Sequence, residues 1–159
     1  MNYKLQLDLD GVYADFAKGV FKLTGKFPEQ LETRSLWAAI HRNKNFFLEL
    51  DRTTEFDMLW DVCKRFEHVE FLTGAPSSKT FCEQKKMWVA KHFGPQYVTN
   101  VVPRRDKVLF AKPDQEGWKH ILLDDTHRNI HEWEAVGGIG IHHDNTRPMD
   151  SVYKLEAFL

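Results

Sequence analysis

The sequence has little cysteine, almost no net charge and no long apolar run, and each shortage removes a class of answers. Cys63 and Cys82 are its two cysteines. They lack CxxC spacing and each falls in a helix-like segment, which suits reduced structural thiols in a reducing compartment rather than a disulfide framework. Lysine and arginine total 22 against 23 aspartates and glutamates, a formal charge of −1. No global field therefore exists for nucleic acid or an anionic membrane, and only local clusters such as Lys85-Lys86 and Arg104-Arg105 remain as ligand contacts. No stretch approaches the ~18 apolar residues of a membrane span. The chain also enters a strand pattern at once, without the apolar segment of a secretory leader. A cytoplasmic protein is expected, without a membrane partner or stable nucleic-acid binding; a homodimer stays open. Repeats and low-complexity tracts are absent.

What is present is an alternation of strand and helix patterns. Residues 3–10 alternate Tyr3, Leu5, Leu7 and Leu9 with Lys4, Gln6, Asp8 and Asp10, the period of a strand. Further strands are expected at 69–76, 97–103, 120–125 and 138–145, the fourth as a continuous apolar run buried on both faces. Helical spacing marks 54–66, capped by Thr53 or Thr54, then 77–93 and 127–136, with a closing amphipathic helix carrying Val152, Leu155 and Phe158. This predicts an α/β, Rossmann-like fold: a mostly parallel sheet of about five strands with helices on both faces. Between Asp15 and residue 54 no strand pattern occurs, and aromatic-rich, partly helical segments fill the interval. A small helical cap over 15–53 is expected there, the core being 1–14 and 54–159, because so long a structureless loop is improbable in a compact domain.

In parallel sheets, ligands gather at the carboxyl ends of the strands. Those ends carry Asp8-Leu9-Asp10-Gly11, Leu72-Thr73-Gly74, Pro103 followed by Arg104-Arg105-Asp106-Lys107, and Asp124-Asp125. Residues i and i+2 of a strand share a face, so Asp8 and Asp10 point the same way unless the strand has turned. Unneutralised, one of them should protonate. A hard divalent cation, Mg²⁺, relieves the repulsion, with Asp124 and Asp125 supplying further carboxylate and a position left for a phosphate oxygen. A carboxylate can attack phosphorus, and a second one can protonate the leaving alcohol and then deprotonate water. Thr73 and the amides of Gly74 and its neighbours can hold phosphate oxygens, and a lysine can neutralise the charge. Alone, Asp-x-Asp-Gly is most often a turn. Strand ends carrying both acidic motifs, with Leu-Thr-Gly between them, argue for a site.

These residues resemble the signature of the haloacid dehalogenase superfamily of phosphotransferases, and the resemblance covers nearly the whole chain. More narrowly, "DLDGVYADF", "KKMWVAKHFGP", "RRDKVLFAKP" and "ILLDD" are similar to the 5′(3′)-deoxyribonucleotidases, which carry a small helical cap and dephosphorylate nucleoside monophosphates with Mg²⁺. The resemblance implies Asp8 as nucleophile, Asp10 as acid/base and carbonyl metal ligand, and Thr73 as phosphate ligand. It also implies Lys107, rather than Lys85 or Lys86, as the motif lysine, and Asp125 as metal ligand with Asp124 supporting it or bound through water. Phe16 matches an aromatic of the nucleoside pocket. Trp37 and Phe46-Phe47 are candidates for the same wall or for core packing. Two departures sit beside the substrate: Gly74-Ala75-Pro76, where relatives often have another hydroxyl residue, and Thr126-His127-Arg128, where an arginine commonly follows the acidic pair.

The expected activity is Mg²⁺-dependent hydrolysis of a small phosphomonoester, foremost a (deoxy)nucleoside 5′-monophosphate. The alternatives are a phosphatase for sugar phosphates or nucleic-acid 3′-ends, or a silent phosphate-binding relative; retention of both Asp8 and Asp10 disfavours the last. Arg105, with Arg104, either attracts a phosphate or is simply solvated. His127 and His131 lie four apart, yet no HExxH accompanies them, and they are expected at the surface with His142-His143.

Overall fold

The computed structural model describes residues 2–113 and 115–159. Five strands, β1 (Tyr3–Leu7), β2 (His68–Gly74), β3 (Thr99–Val102), β4 (Lys119–Asp124) and β5 (Ile139–His142), form one parallel sheet in the order β3-β2-β1-β4-β5. The most apolar segments take the centre: β1 pairs on both sides, with β2 and β4, and Leu5, Leu7, Phe71, Leu72, Ile121, Leu122 and Leu123 are buried. Both faces are covered, which a parallel sheet requires. Leu5, Leu7, Phe71, Ile121, Leu123 and Ile141 pack with α3 (Phe56–Cys63), α4 (Lys79–His92) and α6 (Pro148–Glu156). Leu72 and Leu122 face the other way, against Ile130 and Trp133 of α5 (His127–Ala135) and Ala111.

Elements agree with the sequence periods, and the differences lie at their ends. β1 stops at Leu7 rather than Asp10, because the Leu9 carbonyl accepts the N–H groups of Val12, Tyr13 and Ala14 at 3.1, 2.9 and 2.9 Å and folds the chain into a tight turn. Gly11 makes that turn possible. Its φ is +82°, and a Cβ there would overlap the Asp125 carboxylate. Ser78 caps α4, accepting from the Phe81 N–H. Neither Thr53 nor Thr54 caps α3: the Thr53 hydroxyl donates to the Val12 carbonyl at 2.9 Å and that of Thr54 to Glu55.

Between the β1 turn and α3 lie α1 (Phe16–Thr24), a 3₁₀ turn at Pro28–Gln30 and α2 (Thr33–Arg42). Asp15 accepts from the Lys18 N–H at the start of α1, and Gly25, at φ +75°, ends it. The excursion leaves and returns through one place, where the Asp15 N–H donates to the Asp51 carbonyl and the Thr53 N–H to the Tyr13 carbonyl, both at 2.9 Å. Its return limb is tied to α4. Gln84 donates to the Lys44 carbonyl at 2.6 Å, and the Trp88 indole N–H to that of Leu50 at 2.9 Å.

The cysteines are free thiols, and burial pushes Cys63 up to about 12, so it is inert at neutral pH. His143 departs from its expected surface position. It is buried, with Nδ1 at 2.8 Å from Ser151 Oγ and Nε2 at 3.2 Å from Glu55, tying α6 to the start of α3. His127 and His131 are exposed, as expected. Among the described residues no helix is long and apolar enough to cross a membrane.

Candidate active site

Placing β1 beside β4, while β2 and β3 extend the sheet the other way, opens a crevice at the carboxyl ends of the two central strands. Asp8 follows β1 and Asp124 ends β4. With Asp125 they form a cluster whose carboxylate oxygens lie within 4.8 Å of one another. Lys107 answers this charge. It reaches in from the segment after β3, with its Nζ 2.9 Å from Asp8 Oδ1 and 2.8 Å from Asp124 Oδ2, and only 3% of the residue is exposed.

Asp124 is held from three directions. Besides Lys107 it accepts from Asn129 Nδ2 at 3.0 Å and from the Thr126 N–H at 2.9 Å. One ammonium among three carboxylates leaves the cluster short of positive charge. Burial, and next the Asp124 charge, hold Asp8 well above the usual carboxylate range despite Lys107. Asp125 is pushed up to about 6, again by burial first and Asp124 second. Burial works against the Lys107 ammonium too, but Asp8 and Asp124 outweigh it and keep that lysine charged well above its ordinary value. Three clustered hard oxygen donors, two of them reluctant to ionise unaided, fit a divalent cation such as Mg²⁺.

Asp10 lies apart from this cluster. The turn swings its carboxylate toward α4, where Lys85 holds Oδ2 at 2.8 Å. The same Nζ donates to Thr73 Oγ1 at 2.9 Å and to the Gly74 carbonyl at 2.7 Å. So Asp8 and Asp10 do not share a strand face; each has its own buried lysine. The amide of Ala75 is committed to the Val102 carbonyl at 2.7 Å, which removes one neighbour of Gly74 as a phosphate donor.

A cavity of about 560 Å³ opens over these groups. Asp8, Asp10, Gly74, Lys85, Lys107 and Asp125 floor it, and Phe16, Pro28 and Trp37 form an apolar wall. Trp37 thus resolves as cavity lining. Phe46 does not: it is 3% exposed and packs edge-on against Phe16 and Phe47 at 5.7 and 5.1 Å, supporting the wall from behind. Arg105 is likewise displaced by its neighbour. Residues 104–110 form a 3₁₀ helix, so positions three apart share a face; Arg104 and Lys107 turn to the cavity while Arg105 points to solvent. Arg104 Nη1 is held by Asn129 at 3.0 Å and Glu132 at 2.9 Å.

Asn129 has no motif to mark it, Arg104 is marked in the sequence only as Arg105's equal, and Lys85 only as a lesser candidate for the motif lysine. Lys85 left a signal. It sits on the same stripe of α4 as the buried Phe81, Trp88 and Val89, where a charged residue needs a partner.

No family model matches the chain. Among curated proteins, the mitochondrial 5′(3′)-deoxyribonucleotidase of Homo sapiens is 25% identical over 82% of this chain and 78% of its own. That of Mus musculus is 26% identical over 82% and 81%. Among solved structures, a haloacid dehalogenase-like family hydrolase from Xanthomonas campestris matches with a TM-score of 0.61 at 13% identity, over 99% of this chain and 93% of that one. An enzyme of the same superfamily from Bacteroides thetaiotaomicron, in complex with magnesium and inorganic phosphate, matches with a TM-score of 0.52 at 12% identity, over 91% and 96%. The chain has the haloacid dehalogenase fold, as its motifs suggested.

Proposed function

We propose that the protein is a Mg²⁺-assisted phosphomonoesterase acting on a (deoxy)nucleoside 5′-monophosphate. The observation that carries the reading is the separation of the two motif carboxylates. Asp8 sits with Lys107 inside the acidic cluster, and Asp10 sits with Lys85 outside it. Two carboxylates in different surroundings can take different protonation states and so different roles.

Asp8, Asp125 and, in support, Asp124 would hold the cation, together with the Asp10 carbonyl. Bound there, Mg²⁺ supplies charge neutralisation for the phosphoryl oxygens and for the carboxylates around them. Asp8 attacks phosphorus in line with the leaving group, and the bridging P–O bond breaks as Asp10 gives its proton to the departing alkoxide. Asp10, now ionised, takes a proton from water. That water attacks the aspartyl phosphate, releasing inorganic phosphate and restoring Asp8. Lys107 has a third N–H beyond its two carboxylate partners and directs it at the transferring group. Thr73, wholly buried, lies beneath the floor and holds Lys85 there.

Residues 15–53 serve as a fixed cap, because their return limb is bonded to α4. The cavity volume is that of small-molecule sites. Phe16 and Trp37 present the flat apolar surface that a nucleobase stacks on, which favours a nucleotide over a sugar phosphate. The curated relatives named above support the same choice. Phosphate release from a panel of nucleoside monophosphates and sugar phosphates, with Mg²⁺ or EDTA, tests it. Metal-dependent release ranked with nucleotides first is expected; a preference for sugar phosphates would refute the substrate class, and no release would refute the activity.

A further inference from the structure

The Lys85 ammonium is 5% exposed, and each of its three N–H donors is already spent, on Asp10 Oδ2, Thr73 Oγ1 and the Gly74 carbonyl. Phe47 covers it, with the Nζ 5.0 Å from the ring centroid. A lysine so committed cannot take a phosphate oxygen without breaking a bond, which sets it apart from Lys107. What it can do is fix the groups it holds.

We propose that Lys85 is a positioning residue that assigns the proton of Asp10 to Oδ1. This rests on the phosphomonoesterase reading. An ammonium donating to Oδ2 makes that oxygen the wrong place for a proton, so the acid form of Asp10 carries it on Oδ1, the oxygen with no bonded partner among the described residues. The effect follows from one buried cation on α4, the helix whose Gln84 and Trp88 also anchor the 44–50 limb. The wall of the cavity and the orientation of the acid are therefore set by neighbouring turns of one helix.

The test compares Lys85→Met with wild type on two substrates, thymidine 5′-monophosphate and p-nitrophenyl phosphate, through kcat/KM, which reports transfer to Asp8. Thymidine leaves as a strongly basic alkoxide that needs the Asp10 proton, and p-nitrophenolate barely needs it. Misplacing the acid should cost the nucleotide about 100-fold and the aryl ester far less, general acid catalysis being worth roughly 10²–10⁴. Adding Lys85→Met to Asp10→Asn should then cost the nucleotide little further. Equal losses on both substrates, or losses that multiply in the double variant, would overturn the role while leaving the phosphatase reading intact. No hydrolysis of either substrate by wild type would overturn both. Should Lys85→Met fail to fold, Lys85→Gln keeps two donors without the charge, and a preserved substrate ratio is expected there; a ratio altered as predicted for Met would count against the hydrogen-bond account.

Discussion

The floor and the wall of the cavity are built on opposite terms. The floor concentrates charge where burial makes charge costly: Asp8, Asp124 and Lys107 are almost wholly inaccessible, and Asp8 and Asp125 are held above their ordinary pKa. The wall spends no charge. Phe47 lies fully buried behind Phe16 and Trp37, with ring centroids 6.3 and 6.4 Å away and near-parallel planes, and continues into the main core. A floor of that kind is stabilised by whatever neutralises it, whereas a wall of that kind is stabilised by packing alone. Damage to the first should therefore appear in turnover, and damage to the second in folding and substrate affinity.

Asp8→Asn breaks the comparison most sharply. Turnover should vanish into background, a loss of at least about 10⁴-fold for a nucleophile, while the metal-free melting temperature at pH 7 should hold or rise, because one buried like charge is gone. A parallel loss of stability would mean that Asp8 is structural. Lys107→Met is the exception the account requires on the floor. It strands Asp8 and Asp124 without their cation and should cost about 3–5 kcal/mol in urea unfolding, with Mg²⁺ restoring part of it.

On the wall, Phe47→Ala should cost about 3–5 kcal/mol of stability and leave per-site turnover of the folded fraction within about tenfold. Trp37→Ala, half-buried, should raise KM for nucleotides by about 10-fold, with p-nitrophenyl phosphate nearly unchanged. A kcat effect without a KM effect at Trp37 would place that ring in the chemistry rather than in recognition.

A pH dependence sharpens the electrostatic half. The pKa of Asp125 in the folded chain, about 6, lies above its ordinary 3.8. A raised carboxylate contributes stability that is complete below the unfolded value and lost as pH rises through the folded one. In EDTA the wild type should thus lose stability between about pH 4 and 6 relative to Asp125→Asn, and Mg²⁺ should remove the difference at pH 7. Thermal melts of both proteins across that range give the slope directly. A flat difference would show that the Asp125 environment does not penalise its charge.

The same contrast explains what could be read before folding. Asp8, Asp10, Thr73 and Asp124-Asp125 are local features, each following an apolar strand, and parallel topology brings such strand ends together whatever lies between them. Lys107 came from its order among the motifs and not from geometry. Arg104 and Arg105 are equals in the sequence because nothing in "PRRDK" distinguishes a 3₁₀ turn from an extended loop. Lys85 sits twelve residues beyond Thr73, and only the packing of α4 on the sheet carries it back. Trp37 and Phe46 look alike as aromatic residues in a helical interval. Their separation into cavity and interior depends on how the 43–52 limb folds against α4, which no local pattern encodes.

In the proposed mechanism Asp8 accepts the phosphoryl group, and one experiment addresses that step without prior choice of physiological substrate. Wild-type protein mixed in excess over a hydrolysed monoester, quenched in acid during a single turnover and digested, should yield the peptide containing Asp8 heavier by one phosphoryl group, with Asp8→Asn yielding none. Continued phosphate release with that peptide unmodified at every quench time, or the same increment surviving in Asp8→Asn, would contradict the account.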